Sequence, residues 1–371
     1  MTACRACGGA AGRIVLDLGT VPAADHFPHR DDPVDAGEVG HRLAMWLCGA
    51  CGLAQLPGDD TVADEPRGIE PRALREQAAE AVVAVAGHGW LRGTSVREFG
   101  SPHGGTWLPL LEQHGYRVAR DDSPADVVLD SFGMMHEPDQ HAAMRTRAAA
   151  TAPDGVLLLQ FHSIAAIVAR GQWNALRHGH FAYYSLTALE RLVRNTGMRI
   201  ATAWEFDLYG GTVLVAATRD PTTEPDAAVR AILAREADTA VTSAEVVGAL
   251  QTAADRNAAA LRQWLISRRA AGRTTYAYGA ASRAVALFYL AGLDRSLLAG
   301  VADASAAKHG RRMPGTGIGI IAPDALVAAR PDRVLVTVPD LLPEVREHYP
   351  DLADAWIVEA EITADEIAGG N

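Results

Sequence analysis

Hydrophobic and polar positions fall into blocks whose period switches between helix and strand. Alanines and valines recur at helical spacing through LREQAAEAVVAVAGHGWL, which predicts a helix within 68–93. SVREFGSPHGGTWLPLLEQHGYRVARDD (95–122) reads as a strand, a glycine turn, a helix and a second strand. ADVVLDSF (125–132) is a further strand, and 133–161 reads as a loop, a helix, a Pro-Asp-Gly turn and a strand. LTALERLVRNTG (186–197) is a helix with Ser185 as its N-cap. MRIATAWEFDLYGG and TVLVAATR form an antiparallel pair around Gly210 and Gly211.

From Pro221 to Gly272 the pattern is helical, with Thr242 and Glu245 as a capping box. TTYAYGAASRAVALFYLAG gives a strand, a turn at Gly279 and a helix opening at Ala280, Ala281 and Ser282. A strand ending near Asp303, a helix at 323–329, the strand RVLVTVP and a helix from Leu342 complete a small doubly wound sheet. Its ligand edge lies where the strands end, at Gly279, Asp303 and Pro339. Backbone N–H groups of Ala280, Ser282 and Arg283 are then offered to an anion. Lys308, Arg311 and Arg312 either add charge there or form a solvated basic loop. The whole is an α/β protein in three parts: 1–66, 67–220, and 221–371 with a helical linker at its start.

All four cysteines lie in the first 51 residues, as CRAC (Cys4, Cys7) and CGAC (Cys48, Cys51). Two C-x-x-C pairs can place four thiolates around one tetrahedral zinc, and the adjoining glycines suit the tight knuckle turns. With no fifth ligand evident, the zinc is expected to be structural. Between the pairs, VLDLGTVPAADHF reads as a strand, a turn and a polar stretch. Asp25, His26 and Phe27 either face a neighbouring domain and its substrate or form a polar loop.

The formal net charge of −11 argues against nucleic acid and against an anionic membrane as partners. No apolar run reaches the roughly 18 residues of a membrane span, and MTACRACGG has no signal-peptide pattern, so a cytoplasmic protein is expected.

The order of parts resembles the NDP-sugar C-methyltransferases, which install methyl branches on deoxysugars of natural products. The resemblance covers nearly the whole chain. It rests on CRACGG, LDLGTVPAADHF and CGACGLAQL at the front, and on HGHFAYYSLTALERLVRNTGMR with YGGTVLVAATR in the middle. At the back it rests on YAYGAASRAVALFYLAG, VADASAAKHGRRMPGTGIGI and RPDRVLVTVP. It implies a zinc-binding first domain, a class I methyltransferase-like second domain that binds S-adenosylmethionine, and a Rossmann-like third domain. It also implies a 4-keto-6-deoxy sugar on a nucleoside diphosphate, dTDP above all, as substrate. A base removes the proton beside the ketone, and the carbanion takes the methyl group.

This chain departs from the family at two places. The family block reading tyrosine, any residue, glutamate, histidine is here Arg177, His178, Gly179, His180. The glycine turn keeps Glu98, Gly100 and Gly104, with Pro102 and His103 between the glycines. After VARDD a helix, a third strand and their connections are missing, so only Asp121 or Asp122 is left to reach a ribose and nothing to bury the adenine. S-adenosylmethionine binding is expected to be lost or severely weakened. The first half of the reaction then survives, as epimerisation or a ketone shift. The resemblance assigns His180 as base. His178, Tyr183 or Tyr184 is the expected proton donor, and Arg177 holds phosphate or the enolate oxygen. In a strand His178 and His180 would share a face. The alternative activities are an S-adenosylmethionine-dependent C-methyltransferase and a non-catalytic sugar-nucleotide-binding partner protein.

Overall fold

A computed structural model describes residues 2–61, 70–102, 104–120 and 123–362. Asp122 lies outside the described residues, as do His103 and Asp121. The described chain forms three sheets.

The first sheet is antiparallel: Gly12–Val21, His41–Cys48, Ala54–Gln55 and, from far along the chain, Ala182–Tyr183. The RHGHFAYYS stretch therefore adds a strand to the N-terminal sheet, with Ala54 opposite Tyr183 and Gln55 opposite Ala182. That pairing carries the 177–181 loop to the junction of the parts.

The central sheet has the spatial order Arg117–Val118, Ser95–Phe99, Ala125–Ser131, Thr151–His162, Thr212–Thr218, Arg199–Phe206. The first four strands are parallel, and Thr212–Thr218 runs against both neighbours. The sequence predicts a Pro-Asp-Gly turn at 153–155; the structure runs one strand through it. Ala125 pairs with Thr151 and Val127 with Val156, so a bulge absorbs Pro153, which has no N–H for the ladder. One edge of the sheet is Arg117–Val118, two residues, both exposed.

The third sheet is parallel, in the order Ile320–Ile321, Val301–Ala302, Thr275–Tyr278, Arg333–Val336, Trp356–Val358. Two helices precede it, Ala227–Asp238 and Ala244–Ala270. Ser243, not Thr242, caps the second, accepting from Val246 N, so the expected capping box does not form. That 27-residue helix, about 40 Å long, packs against the first strand of the chain. Leu16, Phe27 and Met45 share one apolar core with Leu261, Trp264, Phe288 and Val301. The first and third parts are thus joined by a common core; one face of the central sheet shares a second core with Cys4, Trp46 and Leu53, and its other face packs on a third.

Candidate functional site

The four cysteine sulfurs lie within 4.8 Å of one another. Cys4 Sγ is 3.5 Å from Cys51 Sγ, and Cys7 Sγ 3.7 Å from Cys48 Sγ. Tetrahedral zinc with bonds of about 2.3 Å needs sulfurs about 3.8 Å apart, so the set fits the ion. Each knuckle closes on its own backbone: Gly8 N donates to Cys4 O and Gly52 N to Cys48 O, with Gly8 and Gly52 at positive φ. Zinc here would be held by Cys4, Cys7, Cys48 and Cys51 and would lock the end of the first sheet.

A cavity of about 930 Å³ opens where the three sheets meet. Asp25 and Asp59 reach it from the first part, Ser101, Pro102, Gly104 and His162 from the central part, and Tyr278, Ser282 and Lys308 from the third. Phe132 and Tyr209, an edge-to-face pair lining it, both hold positive φ, a conformation costly for side-chain-bearing residues.

His180 and Arg177 line this cavity. Arg177 Nε donates to His180 Nε2 over 2.8 Å, so that nitrogen carries the ring's lone pair. The His136 ring stands edge-on to His180, centroids 4.4 Å apart, and its Nδ1 donates to Gly179 O. Gly179 N donates to Asp59 Oδ2 over 2.6 Å. Gly179 adopts φ +77, so 178–180 is a turn and the expectation that His178 and His180 share a face does not hold. His178 points the other way: its Nε2 lies 3.3 Å from Arg42 O, its ring meets His41, and burial pushes its pKa down. Tyr183 reaches the cavity wall, but its hydroxyl accepts from Arg177 N and donates to Ala175 O; burial pushes its pKa up. Tyr184 lies in the core behind, its hydroxyl bonded to Gln140, away from the cavity.

Sequence reasoning did not single out His162. It ends the apolar run LLLQFH at the carboxyl edge of a parallel strand, where α/β sheets place ligands, and that position was the available signal. Burial, aided by the Arg283 and Arg177 charges, pushes its pKa down to about 3, so the imidazole is neutral.

Of the other candidates, Asp25, Gly279, Ser282, Arg283 and Lys308 line the cavity. Ala280 offers no free N–H: it donates to Asp303 Oδ2 over 2.7 Å, because the neighbouring strand end brings that carboxylate to the turn. Lys308 is no solvated cation; it is buried, donates to Ala280 O and sits over the Phe27 ring. Phe27 is fully buried as that support, and Arg311 Nη1 clamps its carbonyl. His26 is exposed and borders a separate polar cavity with Glu38 and Arg312. In the central turn Glu98 accepts from Trp107 N and Thr106 Oγ1. Among the described residues, chain neighbours aside, no atom lies within 4 Å of a Cβ built on Gly100 or Gly104.

Three family models match along the chain: a zinc-binding domain over 4–63, a methyltransferase domain over 67–203 and a C-methyltransferase C-terminal domain over 207–358. The C-methyltransferase NovU of Streptomyces niveus is 25% identical over 95% of this chain and 93% of its own. Among solved structures, a possible histamine N-methyltransferase of Thermotoga maritima is 12% identical, covers 40% of this chain and 91% of its own, and has a TM-score of 0.29. The magnesium protoporphyrin IX methyltransferase of Synechocystis is 14% identical, covers 40% and 85%, and has a TM-score of 0.30. With a four-thiolate module, a methyltransferase domain and a C-methyltransferase C-terminal domain in this order, the chain has the domain make-up of a C-methyltransferase.

Proposed function

We propose that the cavity binds a dTDP-linked 4-keto-6-deoxy sugar and that His180 removes the proton beside its ketone, with no S-adenosylmethionine taking part. The proton passes from carbon to imidazole, and the C–H electron pair becomes a double bond as the ketone oxygen takes the charge. Return of a proton to the opposite face gives the epimer; return at the former carbonyl carbon, with the neighbouring hydroxyl losing its proton, shifts the ketone. The carrying observation is the convergence of His180, Arg177 and neutral His162 on one cavity wall. A neutral imidazole donates a hydrogen bond to a developing oxyanion without needing its own charge. Tyr183 fixes the loop, and His178 and Tyr184 take no part.

The reading without the methyl donor rests on the open edge of the central sheet. Among the described residues, only Arg117–Val118 stands beyond Ser95–Phe99, and the next strand, Ala125–Ser131, pairs on the other side. The second acceptable reading, a C-methyltransferase, is favoured by the family and by Gly104, which lines the same cavity with nothing among the described residues within 4 Å of a Cβ built on it. When bound, S-adenosylmethionine supplies a methyl cation to the carbanion.

Incubation with the keto sugar nucleotide in heavy water decides. Deuterium enters beside the ketone with the wild type and not with His180→Ala. No exchange in either ends the proposal, and tight binding without exchange assigns a non-catalytic partner role. A branched product in the presence of S-adenosylmethionine assigns methyl transfer.

A further inference from the structure

Two guanidiniums end in one corner of the cavity, and neither is hydrogen-bonded to a carboxylate among the described residues. Arg177 comes from the loop before Ala182–Tyr183, Arg283 from the first turn of the helix Ser282–Leu290. Arg177 donates to His180 Nε2 and to Ser282 Oγ, both at 2.8 Å. Arg283 donates to Asn174 Oδ1 at 3.2 Å, and its buried Nε has no partner. All three acceptors are neutral, so they aim the two forks without cancelling their charge. Asp340 and Glu359 act on Arg283 only through space; Asp340 accepts from Tyr209 N, and Glu359 is bonded to Asn257. Both guanidiniums act on His162 as well.

Both arginines are half-buried, with Arg283 Nε itself shut off from solvent; withdrawing cations from water without a bonded counter-charge is costly, and an anionic ligand offsets it. The place of this corner says which anion. Arg177 touches the nitrogen that accepts the proton in the reaction proposed above, so the corner faces the reacting atoms. Ionising the carbon that bears the hydroxyl next to the ketone gives a planar enediolate with two neighbouring oxygens. Two forked donors match that shape.

Resting on that reading, we propose that Arg177 and Arg283 form an enediolate clamp, and that the proton lost is the one on the hydroxyl-bearing carbon. As the proton moves to His180 Nε2, the C–H pair forms the carbon–carbon double bond and the carbonyl pair moves onto oxygen. The Arg177 Nε–H turns from Nε2 to that oxygen, which frees the base and binds the charge in one motion. Arg283 Nε takes the neighbouring oxygen. Arg283 thereby becomes a catalytic residue.

Oxalate, a planar dianion with vicinal oxygens, is the probe, with pyrophosphate as the comparison. The wild type binds oxalate in competition with the sugar nucleotide, and Arg283→Gln weakens it about 100-fold. Arg283→Gln slows deuterium entry by a similar factor with little change in KM, while Arg283→Lys restores part of the rate. Arg283→Gln also melts no earlier than wild type, because it removes a charge that has no bonded counter-ion; a structural arginine would lower the melting temperature. Oxalate affinity and exchange within twofold of wild type in Arg283→Gln overturn the proposal. So does pyrophosphate binding that depends on Arg283 while oxalate binding does not, which assigns the corner to the diphosphate. Deuterium only on the other flanking carbon overturns the choice of carbon. Arg283-dependent oxalate binding without any exchange by the wild type keeps the anion site and removes the reaction on which it rests.

Discussion

The central and C-terminal sheets each carry a glycine turn after a parallel strand, and the two turns are held in opposite ways. Gly279 adopts φ +94, and a Cβ there would lie 2.7 Å from Thr337 Oγ1, whose hydroxyl donates to the Gly279 carbonyl. Its strand, Thr275–Tyr278, has two strands on each side. Gly104 adopts φ +88, Gly100 does not have positive φ, and nothing among the described residues lies within 4 Å of a Cβ built on either. Their strand has one two-residue partner on its outer side. A packed turn is demanded by its own fold. An open turn is demanded only by whatever approaches it, and Pro102 lies in the middle of this one.

The largest expected effect lies outside both turns and sets their scale. Stripping zinc, or replacing Cys48 and Cys51 by Ser, removes about 10 kcal/mol of metal-linked folding energy. Because Ala54–Gln55 pairs with Ala182–Tyr183, the 177–181 loop goes with it. Metal content and thermal unfolding followed together check this; an unchanged melt in a metal-free protein would contradict it. Next comes Gly279→Ala, which combines a left-handed backbone with a collision and is expected to cost about 2–4 kcal/mol. Gly100→Ala is expected within about 0.5 kcal/mol of wild type. Equal losses in a denaturant titration would erase the distinction between the turns.

Acid sharpens the contrast from the closed end of the cavity. His162 is neutral in the folded protein with its pKa near 3, while the unfolded chain binds its proton near pH 6.5. Its contribution to stability is therefore intact above about 6.5 and is lost as pH falls toward 3. His178, pushed the same way, adds to the loss. A melting temperature that falls over this window in wild type and falls less in His162→Gln is the expected result; parallel curves would exclude His162 as the source. The smallest expected effect is the heat of S-adenosylmethionine binding at the open turn, near zero in calorimetry. Micromolar affinity weakened by Gly100→Ala would make that turn a working cofactor site.

Much was legible before any coordinates. The C-x-x-C pairs, the strand–turn–helix units and the Ser185 cap are local patterns, each written within a few residues, and Ser185 Oγ does accept from Ala188 N. The site was legible in part. RHGHFAYYS marked the right loop, but one positive-φ glycine sends His178 and His180 to different neighbours, and alternation along a strand could not foresee that. Lys308 and Ala280 looked available because their partners, Phe27 and Asp303, are distant in sequence.

By itself the sequence determined the zinc module and the α/β class, because thiolate spacing and hydrophobic period are properties of contiguous chain. Only the tertiary structure decided which charged groups meet. Arg177, Arg283 and His162 come from three separate segments, and their fields act through space across a buried corner, so no reading of neighbours along the chain could place them together.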